Sequence, residues 1–262
     1  MATISELISN EVNEEPDLPL VHTTDAFRFE KVLRDKILKR TMCPHFGENL
    51  LYLFYGRPAY RTRKQQVNEN LSFDLPVVVL LKNSAKVPYH RVHPFDTGAF
   101  KKGKYSSYFH EDMTVDEFEI TPDIQTIKKY LSFFYRNNSE YYFGSTRKNV
   151  DIKFNDFAAS GLHELAKTPA SPLGASNRPP DERSSSIEIQ VSDDLALSDN
   201  VLAIILPQLY LDDLDLATSV YGMGAKHVLP YPSMTRMGSE FLAGHIYGMI
   251  EKIYLDEGYI QK

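Results

Sequence analysis

The sequence contains a single cysteine, no tryptophan and no long apolar run. Because Cys43 has no second cysteine with which to form an internal disulfide, we expect a reducing, cytoplasmic environment. No stretch of the chain reaches the roughly 18 consecutive apolar residues of a membrane span. The acidic segment 1–19 also lacks the apolar centre of a signal peptide. These absences predict a soluble protein that does not associate with membranes.

Positive charge is also scarce. The 29 Lys and Arg residues against 35 Asp and Glu residues give a net charge of −6, which excludes a broadly basic nucleic-acid coat. A local basic patch remains in segment 57–64, where no acidic residue interrupts Arg57, Arg61, Arg63 and Lys64. Arg61 and Arg63 are therefore candidates for binding the phosphates of an acceptor. A solvated charged turn explains the same patch equally well.

Several motifs of common enzyme families are absent. The chain has no Gly-rich phosphate loop, no G-x-S-x-G elbow and no H-E-x-x-H zinc motif. His90 and His93 are close in sequence, but a zinc site requires further ligands, for which Cys43 and His45 are the nearest candidates. We therefore expect no metal site. A nucleophilic Cys43 is an alternative, although a buried, inert thiol is the commoner case.

The residues that are present predict one α+β domain with mixed or antiparallel sheets flanked by helices. Hydrophobic residues make up 42% of the 262-residue chain, enough for a large core, and the 16 Tyr and 15 Phe suit either an aromatic core or a ligand cleft. We expect a flexible acidic segment over 1–19 and the domain over 20–262. The predicted strands cover residues 18–22, 50–56, 76–81, 184–191, 201–206 and 227–231.

Helices are predicted from apolar residues at helical spacing. One begins at Ala26, with Thr24 as its expected N-cap, and another begins after Thr121-Pro122. Weaker helical patterns cover 155–166 and 212–222, and an amphipathic helix covers 238–256. The aromatic segment 83–120 reads as a lid or binding loop, and segment 167–184, rich in Pro, Ser, Ala and Gly, reads as a mobile loop.

Three short motifs are more specific in combination than any one of them is alone. They are Val21-His-Thr-Thr-Asp25, expected where a strand meets a helix, Phe54-Tyr-Gly-Arg-Pro-Ala-Tyr60 at the end of a strand, and Ser185-Ser-Ile-Glu-Ile-Gln190 within an alternating strand. Their order resembles the ADP-ribosyltransferase superfamily, nearest to its DNA-modifying (DarT-like) toxins. The resemblance spans about residues 20–206. The chain departs from that family at Asp96-Thr-Gly98 and at Asp25, where a small amide is common.

The resemblance implies transfer of ADP-ribose from NAD, as co-substrate, to a nucleic acid or, less favoured, a protein. Breaking the glycosidic bond builds positive charge on the ribose, as in glycoside hydrolysis, and Glu188 would stabilise that charge. His22 would bind a ribose hydroxyl, Tyr55 would stack on nicotinamide, and Arg57 would pair with phosphate. The other residues implied in NAD binding are Thr23, Tyr52 and Tyr60. A bacterial toxin or anti-phage effector, with an antitoxin protein as partner, fits this family.

Other interpretations remain open. Glu188 is also explained as an ordinary polar residue of an alternating strand, and Glu182 is a rival carboxylate. Gln190 shares the predicted face of Glu188 and is a candidate for substrate binding, although a hydrogen bond across the sheet explains it as well. Two further functions compete: a non-catalytic nucleotide- or partner-binding protein of the same fold, and a nuclease or hydrolase.

Overall fold

The strands predicted from apolar runs pair into a mostly antiparallel sheet in a single α+β domain. The computed structural model describes residues 3–59, 72–83, 87–167, 182–232 and 239–262. Its strands are β1 (Leu20–Asp25), β2 (Ile37–Leu38), β3 (Thr41–Cys43), β4 (Glu48–Tyr55), β5 (Pro76–Leu81), β6 (Tyr89–His93), β7 (Glu188–Val191), β8 (Leu195–Ala196), β9 (Val201–Pro207) and β10 (His227–Tyr231).

The main sheet has the strand order β10-β9-β5-β1-β4-β7-β6, and β3 pairs with β4 off this path. The β9–β10 pair is parallel, and the other pairs among the described strands are antiparallel. A separate small sheet is formed by β2 and β8. Every residue of β5 and β9 is buried, which confirms these two apolar runs as strands covered on both faces.

Helices flank this sheet. They are α1 (Ile4–Leu7), α2 (Ala26–Asp35), α3 (Thr97–Lys101), α4 (Ile124–Phe134), α5 (Asn138–Phe143), α6 (Phe157–Lys167), α7 (Leu209–Asp212), α8 (Leu214–Tyr221) and α9 (Ser239–Asp256). None of the helices in the described part of the chain combines the length and the apolar character that crossing a bilayer requires.

Two predicted N-caps were wrong, although α2 begins at Ala26 as predicted. The N-cap of α2 is Asp25 rather than Thr24, and the N-cap of α4 is Asp123 rather than Thr121. In each case the carboxylate accepts a hydrogen bond from the backbone amide three residues later. Asp and Thr are both good N-caps, so the residue type alone does not decide between neighbouring positions.

Two segments expected to be irregular contribute to the core. In segment 1–19, Ile4, Ile8 and Leu18 are buried, because α1 packs its apolar face against the domain. Segment 83–120 contains β6 and α3 instead of an open loop. Its aromatic rings pack on one another at centroid distances of 4.5–5.8 Å and comprise Phe95, Phe100, Tyr105, Phe109 and Phe118.

Candidate functional site

Strand register assembles a group of polar and aromatic side chains on one face of the sheet. Phe54 of β4 pairs with Glu188 of β7, which pairs with His93 of β6. Two residues along, Tyr52 pairs with Gln190, which pairs with Arg91. Directly paired residues share a face, so we call this the Glu188 face and define it by these six residues. The sequence prediction that Glu188 and Gln190 share one face of an alternating strand is confirmed.

Glu188 is buried and surrounded by hydrogen-bond donors. Only 2% of the residue is exposed. The Thr97 hydroxyl donates to Oε1 at 2.7 Å, and the Thr97 amide donates to Oε2 at 3.2 Å. Gln190 Nε2 donates to Oε1 at 2.9 Å. Burial, followed by the nearby Asp96 carboxylate, raises the pKa of Glu188 well above its ordinary value, and the three donors only partly oppose this.

Two of the three donors belong to Thr97, the first residue of α3, whose start is fixed by a buried ion pair. Asp96 is the N-cap of α3, with Oδ1 accepting from the Ala99 amide at 2.8 Å. Its Oδ2 accepts from Arg183 Nη1 at 2.8 Å, and both side chains are buried. The Asp96 amide also donates to the Arg183 carbonyl oxygen. These contacts join the start of α3 to the segment that leads into β7, which places Thr97 over Glu188.

The polar network continues along the face toward solvent. Gln190 Oε1 lies 3.4 Å from Arg91 Nη1, and Arg91 Nη2 donates to Glu48 Oε1 at 2.7 Å. His90 Nε2 lies 3.1 Å from Glu48 Oε2. The Arg91 guanidinium also lies over the ring of Phe46, 5.0 Å from its centroid. Gln190 therefore connects the buried carboxylate to a half-exposed cluster of opposite charges.

His93 is a residue of this face that sequence reasoning did not assign. It is fully buried, and neither ring nitrogen has a hydrogen-bond partner among the described residues. Burial, followed by the positive charges of Arg91 and Lys101, lowers the pKa of His93 to about 4, so the imidazole is neutral at pH 7. From the sequence, His93 could be placed only near His90. Its position beside Glu188 could not be predicted, because it depends on the pairing of two strands that are far apart in the sequence.

His22 lies at a gap in the sheet. On one edge of β4, β1 pairs with residues 54 and 55 and β3 pairs with residues 48–50, so neither strand pairs with residues 51–53. The imidazole reaches into this gap, where Nδ1 lies 3.0 Å from the Tyr52 carbonyl oxygen. Burial lowers the pKa of His22. Strand alternation assigns His22 to the face of the sheet opposite Glu188.

We call this region the strand gap and define it by four half-buried residues, His22, Thr23, Tyr52 and Phe54. Two of them, Thr23 and Tyr52, are further residues that were predicted to bind NAD. The Tyr52 hydroxyl donates to Cys43 Sγ at 2.9 Å. Burial, then this hydrogen bond and the charge of Glu188, raise the pKa of Tyr52. The Thr23 hydroxyl oxygen is buried and has no hydrogen-bond partner in the part of the chain that the structure describes. His22, expected at the end of its strand, is instead the third residue of β1.

Tyr55 lies, by strand alternation, on the face of the sheet opposite Glu188, and Arg57 follows the end of β4. Tyr55 is fully buried, and its hydroxyl accepts from the Leu18 amide at 3.0 Å. Arg57 Nη1 donates to the Ser185 carbonyl oxygen at 2.9 Å and to Ser185 Oγ at 2.7 Å. Its guanidinium lies 5.1 Å from the centroid of Tyr141, whose hydroxyl donates to the Tyr55 carbonyl oxygen. The structure thus separates these two side chains from Glu188.

Three predicted residues, Tyr60, Arg61 and Arg63, lie outside the described residues, as does most of segment 167–184. Within the described residues, no group of three or more His, Cys, Asp and Glu side chains is arranged to hold a metal ion. No protein-family model matches the chain, and no curated protein matches it. Any functional conclusion therefore depends on the chemistry of the Glu188 face and the strand gap.

Proposed function

We propose that this protein is an NAD-dependent ADP-ribosyltransferase that transfers ADP-ribose to a macromolecular acceptor, with nucleic acid favoured over protein. The observation that carries the proposal is the environment of Glu188. A carboxylate that is 2% exposed, holds three hydrogen-bond donors and has a raised pKa is typical of a functional site. It also lies in the motif Ser185-Ser-Ile-Glu-Ile-Gln190 that resembles this superfamily.

The proposed reaction requires the ionised form of Glu188, and the raised pKa of this residue moves that form toward alkaline pH. As the bond between the ribose and nicotinamide breaks, positive charge develops on the ribose, and a carboxylate beside it stabilises that charge. One such preorganised interaction is worth about 3–4 kcal/mol of barrier, or 10²–10³ in rate. Gln190 donates to Oε1 and so fixes the orientation of the carboxylate. Glu188 is also positioned to accept a proton from the attacking group of the acceptor.

NAD binding is assigned to the strand gap beside this face. His22 has Nδ1 against the Tyr52 carbonyl oxygen, which leaves Nε2 as the ring nitrogen for a ribose hydroxyl. The unpartnered Thr23 hydroxyl and the half-buried Tyr52 ring lie in the same gap. One strand, β4, separates β1 from β7, so the backbone segments that carry His22 and Glu188 are about 10 Å apart. That separation suits two riboses joined by a pyrophosphate.

Tyr55 and Arg57 receive no role at NAD in this proposal. Their polar atoms contact Leu18 and Ser185, which favours a structural role for both. The acceptor preference depends on the basic residues of 57–64, among them Arg61 and Arg63. We extend the proposal to a toxin or anti-phage role, in which expression inhibits growth and an antitoxin protein relieves that inhibition.

The proposal is tested by incubating the protein with labelled NAD and, separately, DNA, RNA and mixed protein. Wild type is expected to transfer label to one of these acceptors, and Glu188→Gln to transfer at least about 100-fold less. Glu111→Gln is the matched control, because it makes the same chemical change at an exposed position. Equal transfer by Glu188→Gln and wild type, or no transfer by wild type to any acceptor, contradicts the proposal.

A second candidate is a non-catalytic nucleotide-binding protein of the same fold. The Thr97 hydroxyl and amide each donate to one oxygen of Glu188, so neither oxygen is fully available to a reacting substrate. This arrangement favours a protein that binds a nucleotide without turning it over. NAD binding by wild type without any label transfer or nicotinamide release would identify this function. Metal-dependent breakdown of nucleic acid that is indifferent to NAD would instead identify a nuclease.

A further inference from the structure

His93 has a hydrogen-bonding capacity that nothing in the described part of the protein uses. It pairs directly with Glu188 across β6 and β7, and it is fully buried. Neither Nδ1 nor Nε2 has a hydrogen-bond partner. Burying a polar group without a partner costs about 1–3 kcal/mol, and an apolar side chain of similar size would avoid that cost. A histidine at this position is therefore explained better by a ligand than by folding.

The surroundings of His93 define which ligand group suits it. Arg91 on the same strand and Lys101 on α3 are the cations near the ring, the Glu188 carboxylate lies on β7, and the Phe46 ring packs 6.4 Å away. The neutral imidazole offers one N–H donor and one acceptor nitrogen. An anion needs donors only, whereas a hydroxyl both donates and accepts. A hydroxyl therefore matches the neutral ring and the adjacent carboxylate together.

We propose that His93 and Glu188 jointly bind the vicinal hydroxyl groups of a ribose, with His93 donating to one hydroxyl oxygen and Glu188 accepting from a hydroxyl hydrogen. This inference rests on the proposed function and names His93 as a substrate contact that the three motifs do not include. Binding requires the Thr97 hydroxyl to leave Oε1 of Glu188, so that a ribose hydroxyl takes its place.

The test compares His93→Leu with His93→Gln in calorimetric titrations with NAD. Leucine removes both nitrogens, and the dissociation constant for NAD is expected to rise about tenfold, equivalent to one hydrogen bond. Glutamine keeps a neutral donor and acceptor and is expected to stay within about threefold of wild type. The 2′-hydroxyl of the nicotinamide ribose is taken as the partner of His93. An analogue of NAD that lacks this hydroxyl should therefore bind wild type more weakly than NAD does. His93→Leu should bind the analogue and NAD with equal affinity.

A structural role for His93 predicts a different result. His93→Leu removes two unsatisfied nitrogens, so its free energy of unfolding is expected to equal or exceed that of wild type. His163→Leu is the matched control, because His163 is buried with Nε2 2.8 Å from the Arg147 carbonyl oxygen. This control should be less stable and bind NAD as wild type does. Loss of stability in His93→Leu with unchanged NAD affinity would overturn the inference.

The two proposals fail separately. Wild type that binds NAD but transfers no label contradicts the enzymatic function, and the His93 variants still report on the ribose contact through binding. Wild type that transfers label, with His93→Leu matching its affinity, contradicts the His93 inference alone. Wild type that does not bind NAD contradicts both.

Discussion

Thr97 holds both oxygens of Glu188, with its hydroxyl 2.7 Å from Oε1 and its amide 3.2 Å from Oε2. Thr97 is the first residue of α3, and Glu188 is the first residue of β7. The contact therefore couples the position of a short helix to the charge of a buried carboxylate. Four predictions test this contact, the neighbouring ion pair of Asp96 and Arg183, and the close approach of Gly56 to Leu18.

Removing the Thr97 hydroxyl is expected to raise the pKa of Glu188 further. A hydrogen bond to a charged group stabilises the ionised form, and its loss in Thr97→Val shifts the pKa upward by about one unit or more. Thr97→Ser keeps the donor and should titrate as wild type. The measurement is a carbon-13 NMR titration of labelled glutamate, with Glu188→Gln identifying the resonance. A downward shift in Thr97→Val would contradict the observed donor role.

The stability of the protein is expected to depend on pH through Glu188. Because its folded pKa lies above its unfolded value, the folded state binds the proton more tightly. The contribution to stability is fully present below the ordinary value of 4.5 and is lost as pH rises through the folded pKa. The loss is about 1.4 kcal/mol for each pH unit in that window.

Urea unfolding of wild type and Glu188→Gln between about pH 4 and pH 9 measures this dependence. The variant does not titrate at this position, so its stability relative to wild type should increase with pH. Glu111→Gln, exposed on the surface, should follow wild type throughout. A constant difference between wild type and Glu188→Gln would show that Glu188 titrates normally.

The buried ion pair between Asp96 and Arg183 is expected to be costly to break from one side. Asp96→Asn keeps a good N-cap for α3 but removes the carboxylate that lies 2.8 Å from Arg183 Nη1 in a buried ion pair, so the free energy of unfolding is expected to fall by up to about 3–5 kcal/mol. Adding Arg183→Met should restore part of that loss, because the double variant buries neither charge of this pair. Denaturant unfolding of the single and double variants measures both effects, and additive losses would contradict this explanation.

Gly56 is expected to tolerate no side chain. Its φ is +66°, and a Cβ there would lie 2.5 Å from Leu18 Cδ1. Gly56→Ala combines left-handed strain with overpacking and should cost about 2–4 kcal/mol. Gly47→Ala is the control, since Gly47 has a similar φ of +68° with no atom within 4 Å of the added Cβ, and should cost about 1 kcal/mol. Equal losses of unfolding free energy in the two variants would show that crowding against Leu18 does not contribute.

Local patterns were sufficient to predict some of the elements, but not β6 and α3, which lie in a segment expected to be a loop. The strands β5 and β9, predicted from apolar runs, and the amphipathic helix α9 agree with the structure. They could be predicted because the spacing of apolar residues indicates whether an element is buried on one face or on both. The alternation around Glu188 also predicted that Gln190 shares its face. Helix caps were less certain, because Thr24 and Asp25 are both suitable N-caps and only the local backbone selects one.

The composition of the candidate site was decided by tertiary structure. His93 lies beside Glu188, and Tyr55 lies away from it, because the register of strands far apart in sequence sets which side chains share a face. A shift of one residue in any pairing would exchange the two faces, and no local pattern carries that information. The sequence alone therefore determined that a carboxylate lies on the polar face of an alternating strand. Only the pairing of β4, β6 and β7 decided that a neutral histidine and a threonine hydroxyl surround it.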